Sequence, residues 1–142
     1  MKAKEYLTNI RRQRLHALSL HERLEEIHTQ MAGVKAITYD KDRVQISPSN
    51  TMEELFVKYD ALSDKFVRTM LKYNAAVEKA KRQIDEMPKE TQREILTLRY
   101  LEDGENGRQR TFEEIACIMH KSYEWVCHLH GYALKEFERM YL

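Results

Sequence analysis

Thr111, Lys121, Ser122, Tyr123, Glu124, Cys127 and His128 crowd hydroxyl, ammonium, carboxylate, thiol and imidazole groups into one short stretch, with Cys117, His120 and His130 among them. Three kinds of chemistry could use such a set. A zinc site needs four ligands at defined spacing. Cys117, His120, Cys127, His128 and His130 match no standard zinc pattern, and positions 127, 128 and 130 of one helix point in different directions. No metal or other cofactor is therefore expected, and the two cysteines read as inert thiols. Catalysis needs a nucleophile beside a base, a matched acid and base, or a glycine-rich phosphate loop. The sequence offers none of these, so no enzymatic activity is expected. The third chemistry is recognition by hydrogen bonding. Polar side chains at the opening of a helix can reach the phosphates and base edges of a nucleic acid.

Local sequence sets these residues on a helix-turn-helix frame. Thr111, with Glu114 three positions on, has the form of a capping box and opens a helix that should end near Met119. Ser122 caps a last helix reaching about Met140, with only His120 and Lys121 between the two. An earlier helix runs from Pro88, whose missing N–H is harmless in a first turn, to about Leu101, with Ile95, Leu98 and Leu101 inward. A short helix, a tight turn and a longer capped helix make the helix-turn-helix plan. Ala116 is small where the two helices cross. Ile115, Val126 and Leu129 fill the wedge, Phe112 pins the first helix of the pair to the one before, and Trp125 packs inward. The start of the last helix stays exposed, so Tyr123, Glu124, Cys127 and His128 are the candidates to enter a major groove. The connection from Glu102 to Arg110 holds Asp103, Gly104, Asn106 and Gly107, and brings in two cations, Arg108 and Arg110.

The earlier part of the chain must carry this frame. Ala3, Tyr6, Ile10, Ala17, Leu20, Leu24, Ile27, Met31 and Val34 recur largely in three- and four-residue steps, predicting one long helix from about Ala3 to Lys35. Arg11, Arg14, Glu22, Arg23 and Glu25 fall on its opposite face, and Arg11, Arg12 and Arg14 with His16 read as a solvated basic patch. His21 and His28 lie along a solvated edge of the seam. A second long helix starts near Thr51, where Asn50 and Glu53 give a capping-box-like opening. Its seam runs Met52, Phe56, Tyr59, Ser63, Phe66, Met70, Tyr73, Val77, Ala80, Ile84, Met87. Such a helix is on the order of 50 Å long. Between the two, Ile37, Tyr39, Val44 and Ile46 hint at an extended stretch among turn formers, and a structured loop over 36–50 is expected. Two long helices joined by one loop should fold back as an antiparallel hairpin. Each seam is then buried on one side only, so a further partner is expected, either the C-terminal module or a second copy of the chain.

Charged residues make up 33% of the chain, above the usual quarter, and Gly (4) and Pro (2) are scarce, which favours long helices over sheet. No apolar run approaches the ~20 residues of a membrane span, and the opening residues lack the apolar core of a secretory signal. A soluble, cytoplasmic protein with free thiols is expected. The net charge of +1 is split unevenly: 16 Lys and Arg against 13 Asp and Glu before position 88, and 8 against 10 from there on. A DNA-binding surface usually carries a basic bias, whereas a slightly acidic module suits a protein partner.

Met87-Pro88, Arg93-Glu94-Ile95, Leu98-Arg99-Tyr100, Thr111-Phe112-Glu113-Glu114-Ile115-Ala116, Ser122, Val126 and Ala133-Leu134 follow a running pattern, and through it residues 88–142 resemble region 4 of bacterial sigma factors. His120 stands where that pattern has glycine, so the resemblance implies a left-handed backbone there, which costs a non-glycine residue ~1 kcal/mol, and Lys121 stands where it has an apolar residue. Ala3-Lys4-Glu5-Tyr6-Leu7, Asp42-Arg43-Val44-Gln45 with Ser47, and Leu129-His130-Gly131-Tyr132-Ala133-Leu134 look like a family of small phage- and prophage-encoded proteins grouped with late transcription regulators of the ArpU and RinA kind. The resemblance implies an all-α protein: a helical hairpin over 1–87 for oligomerisation or partner binding, then a three-helix DNA-binding module over 88–142. It implies that Ser122 is the helix cap, that Tyr123, Glu124, Cys127 and His128 face the bases, and that Thr111, Lys121 and Arg99 meet phosphates. It implies a dimeric transcription regulator on double-stranded DNA, with RNA polymerase as a further partner and no membrane. Two other roles fit the residues: an adaptor that binds RNA polymerase or another protein, and a small-terminase-like packaging component. Convergence of Arg93, Arg99, Arg108, Arg110 and Lys121 on the start of the last helix would favour DNA.

Overall fold

The computed structural model describes residues 2–38 and 51–142, with side-chain surroundings for 2–34 and 51–142. The helices are α1 (Ala3–Thr38), α2 (Met52–Asp85), α3 (Glu90–Leu96), α4 (Phe112–Met119) and α5 (Tyr123–Tyr141). The chain has the all-α architecture expected of it, a long helical hairpin followed by a three-helix module. Helix α1 runs three residues past Lys35, into the stretch expected to be loop. The rest of that stretch, with Tyr39, Val44 and Ile46, lies outside the described residues, as does Asn50. At the start of α2 the Thr51 hydroxyl accepts from the Glu54 amide at 3.3 Å, so the cap sits one residue later than expected. Pro88 stands just ahead of α3 rather than in its first turn, and Lys89 is the extended residue from which the helix starts.

Packing divides the chain into two units: Gln13–Lys72, and Met1–Arg12 with Tyr73–Leu142. In the first, α1 and α2 lie antiparallel. The His21 and Phe66 rings are 5.7 Å apart, and His28 and Met31 come beside Met52 and Phe56. Ala17, Leu20, Leu24 and Leu55 are buried. Phe56, expected in the seam, is 57% exposed, and Leu55 takes its place. The helical period explains the exchange. Leu55 precedes Phe66 by eleven residues, about three full turns, whereas Phe56 is rotated about 100° away. Leu15, Leu18, Val57, Val67 and Leu71 also remain exposed in this unit.

The other unit is built around Phe137, Leu7, Ile84, Met87, Ile95, Leu96, Ile115 and Val126, all fully buried. The three-helix module therefore shares one core with the start of α1 and the end of α2. Polar contacts fasten the same junction. The Ala3 amide donates to Glu138 Oε1 at 2.8 Å, and the Tyr6 hydroxyl to Gln83 Oε1 at 3.0 Å. Arg11, expected on a solvated face, is buried, and its Nη1 lies 2.9 Å from Asp103 Oδ1. A charge so placed stays only because its partner neutralises it. After Leu96 the helix widens into a π turn, Thr97–Leu101, closed by the Glu102 amide on the Thr97 carbonyl at 2.9 Å. Such one-turn widenings are rare and carry no signature in a 3.6-residue pattern.

Candidate nucleic-acid interface

Both caps of the helix-turn-helix pair form. Thr111 Oγ1 accepts from the Glu114 amide at 3.2 Å, and Ser122 Oγ from the Trp125 amide at 3.1 Å. Between them His120 is left-handed, at φ 56 and ψ 44, as its place in the turn requires. The Lys121 amide then reaches back to the Ala116 carbonyl at 3.0 Å, which closes the end of α4 in the manner of a Schellman motif. Ala116 is buried at the crossing, and Ile115 and Val126 fill the wedge, with Leu129 and Trp125 packed against them. Trp125 thus packs, as expected, and Lys121 Nζ lies 5.2 Å from its ring, within reach of a cation–π contact.

A second layer fixes how α5 sits on α3 and α4. His130 is buried, with Nε2 2.8 Å from the Tyr100 hydroxyl and its ring 4.8 Å from Phe112. Arg99 also lies over Phe112, 4.5 Å from the ring centre. Burial, with Arg99 and Lys4 nearby, lowers the His130 pKa to about 4, so at neutral pH the ring is uncharged. Burial also raises the Tyr100 pKa, so its hydroxyl stays neutral and shares a hydrogen bond with the neutral imidazole.

Thr111, Lys121, Ser122, Tyr123, Glu124 and His128 are all exposed around the turn and the start of α5, and Cys127 is half-buried beside them. Cys127 and then Glu113 raise the pKa of Tyr123, whose hydroxyl stays neutral. Three of the five cations are engaged within the fold. Arg93 donates to the Met87 carbonyl, and Arg99 to the Arg110 carbonyl. Arg110 Nη1 bonds Glu102 Oε2 at 2.9 Å. Arg108 and Lys121 are left exposed. For Arg99 and Arg110 the physical reason is the long connection before α4, whose backbone groups need partners that regular structure does not provide. That connection is tight at Gly104, where a Cβ would come within 2.9 Å of Arg110 Cγ.

Sequence reasoning stopped at the first turns of α5 and missed the remainder of the helix. Gly131, Tyr132, Lys135 and Arg139 are also exposed. Glu124, His128, Gly131 and Lys135 are spaced four, three and four residues apart, so they share one face. The helical period was the signal that could have found Lys135. Among the described residues, no group of three or more His, Cys, Asp or Glu side chains is placed to hold a metal, and no helix is long and apolar enough to cross a membrane.

This geometry defines a helix-turn-helix domain. Residues 89–136, about a third of the chain, match the family model of sigma-70, region 4. No curated protein and no solved structure matches the chain. The chain therefore carries a sigma-70 region-4-like domain near its C-terminal end, of the fold used generally by DNA-binding transcription factors.

Proposed function

We propose that the protein is a phage- or prophage-type transcription regulator that binds double-stranded DNA with α5 in the major groove. The observation that carries this is the frame itself: two formed side-chain caps, a left-handed turn and a buried wedge, with Tyr123, Glu124 and His128 open to solvent on α5. The sigma-70 region 4 match supports the same reading. Tyr123, Glu124, Cys127 and His128 meet base edges, a carboxylate such as Glu124 suiting the cytosine amino group. Thr111, Lys121, Ser122 and Arg108 bind phosphates. Arg99 and Arg110 act mainly by holding the connection that presents Arg108. Residues 88–142 are the DNA-contacting part and 1–87 the assembling part. Exposed Leu15, Leu18, Phe56, Val67 and Leu71 support pairing with a second copy, and RNA polymerase is the further partner. The three arginines engaged within the fold favour a second reading, an adaptor that binds a protein instead.

Substitution separates the two. Lys121→Ala is expected to weaken binding to every duplex and to make the slope of log affinity against log salt shallower by about 0.9. His128→Ala is expected to cost about 1–2 kcal/mol on the preferred duplex alone and to leave the salt slope unchanged. Fluorescence anisotropy titrations read both. Unchanged DNA affinity in both variants would leave the adaptor as the better account.

A further inference from the structure

Beside the exposed face of α5 lies a groove of about 500 Å³ between α5 and the start of α3. Lys89, Lys135 and Arg139 line it with Gln92 and Tyr132, and Glu136 is the one carboxylate among its walls. Glu136 is engaged with Arg139 by a two-point ion pair. The groove is thus cationic in a module whose charge balance is otherwise negative. Gln92 is only 5% exposed, and its Oε1 has no hydrogen-bond partner in the fold. That oxygen is closed to solvent, so Gln92 shapes the groove wall rather than meeting a ligand.

Two further features point outward. Gly131 sits in the interior of α5, where glycine weakens a helix. Nothing lies within 4 Å of where its Cβ would be, so no contact inside the fold requires it. What it leaves is bare helix surface one turn before Lys135. The second feature is reach. Lys135 is thirteen residues beyond Ser122, about 20 Å along the helix. A major groove is about 12 Å wide. With the start of α5 in that groove, Lys135 lies past its edge, where a sugar–phosphate strand runs.

We infer that this groove binds the phosphodiester backbone of the strand bordering the major groove. Lys89 and Lys135 contact phosphates, and the open surface at Gly131 lets the strand lie close to the helix. The inference rests on the proposed DNA binding and extends it to a second strand, opposite the one met by Thr111, Lys121 and Arg108. The continuity of the groove with the exposed face of α5, through Lys135, favours a nucleic-acid strand over an acidic peptide.

The test measures anisotropy of a labelled duplex against the full chain and its Lys89→Ala/Lys135→Ala variant across a salt series. Both lysines are exposed, so the fold is expected to stand, which circular dichroism checks. The variant's slope of log affinity against log salt should be shallower than the wild-type slope by about 1.8, or 0.9 for each lost contact. Gly131→Gln should also weaken binding while raising the denaturation midpoint. A wild-type chain that binds with a steep slope, and a double variant with the same slope, would overturn the groove assignment and leave the DNA reading standing. Loss of oligoglutamate binding in the double variant, with DNA binding intact, would overturn it in favour of an acidic peptide. A wild-type chain with no salt-dependent DNA binding would overturn both.

Discussion

Phe137→Ala is expected to destabilise the protein by about 3–5 kcal/mol. The ring is fully buried, 5.8 Å from that of Tyr6 and 5.0 Å from that of Tyr141. It stands where α5 meets the start of α1, close to the Ala3 amide bond to Glu138. Removing it deletes a large apolar surface and leaves a cavity between helices already tied by backbone and side-chain hydrogen bonds, so collapse is restricted. Total stabilities of small domains run about 5–15 kcal/mol, so the loss is a large share of the whole. Urea unfolding followed by circular dichroism measures it. Phe137→Leu, which keeps most of the volume, should cost much less. A loss under about 1 kcal/mol for Phe137→Ala would mean that the start of α1 does not pack on α5 as described.

Acidification should destabilise the fold through His130. In the unfolded chain this histidine takes up a proton near pH 6.5, its ordinary value. In the fold it stays neutral until about pH 4, held down first by burial and then by Arg99 and Lys4. Between those two values the unfolded state binds more protons, so stability rises with pH there and is lost as pH falls from 6.5 toward 4. The contribution at stake is about 2 kcal/mol after allowance for solvent screening. Protonation also places a charge on the buried ring that shares a hydrogen bond with the Tyr100 hydroxyl. His130→Gln keeps an acceptor without the titration. Urea midpoints of the two proteins should therefore draw together as pH falls from 7 to 4. Parallel curves would show that His130 does not carry the dependence. The carboxylates that titrate lower in this range are common to both proteins and cancel in the difference.

How much of this was legible in the sequence depended on the range of the interaction. The Thr111 and Ser122 caps and the left-handed His120 are set by residues within one turn, and the sequence predicted all three. The helical period predicted the hairpin but misassigned one position, since Leu55 and Phe56 are both apolar and only rotation separates them. Leu7 and Arg11 lie off the predicted seam, and they are buried because α5 and the connection before α4 come to them from more than ninety residues away in sequence. Arg99 and Arg110 looked like available cations. Their partners are a backbone carbonyl and Glu102 in a connection whose shape no local rule fixed. The π turn at Thr97–Leu101 was equally out of reach, since one extra residue in a turn leaves the apolar pattern almost unchanged. The sigma region 4 pattern was visible because caps, turn and wedge fall at fixed spacing, and it matches over 89–136.

DNA binding by α5 is tested most directly by equilibrium anisotropy. The full chain is titrated against a duplex from upstream of its own coding sequence and against a scrambled duplex, each at two salt concentrations. The account predicts tighter binding to the first duplex, with log affinity falling against log salt by about 0.9 for each phosphate contact. No binding at low salt, or equal affinity for both duplexes, would contradict it.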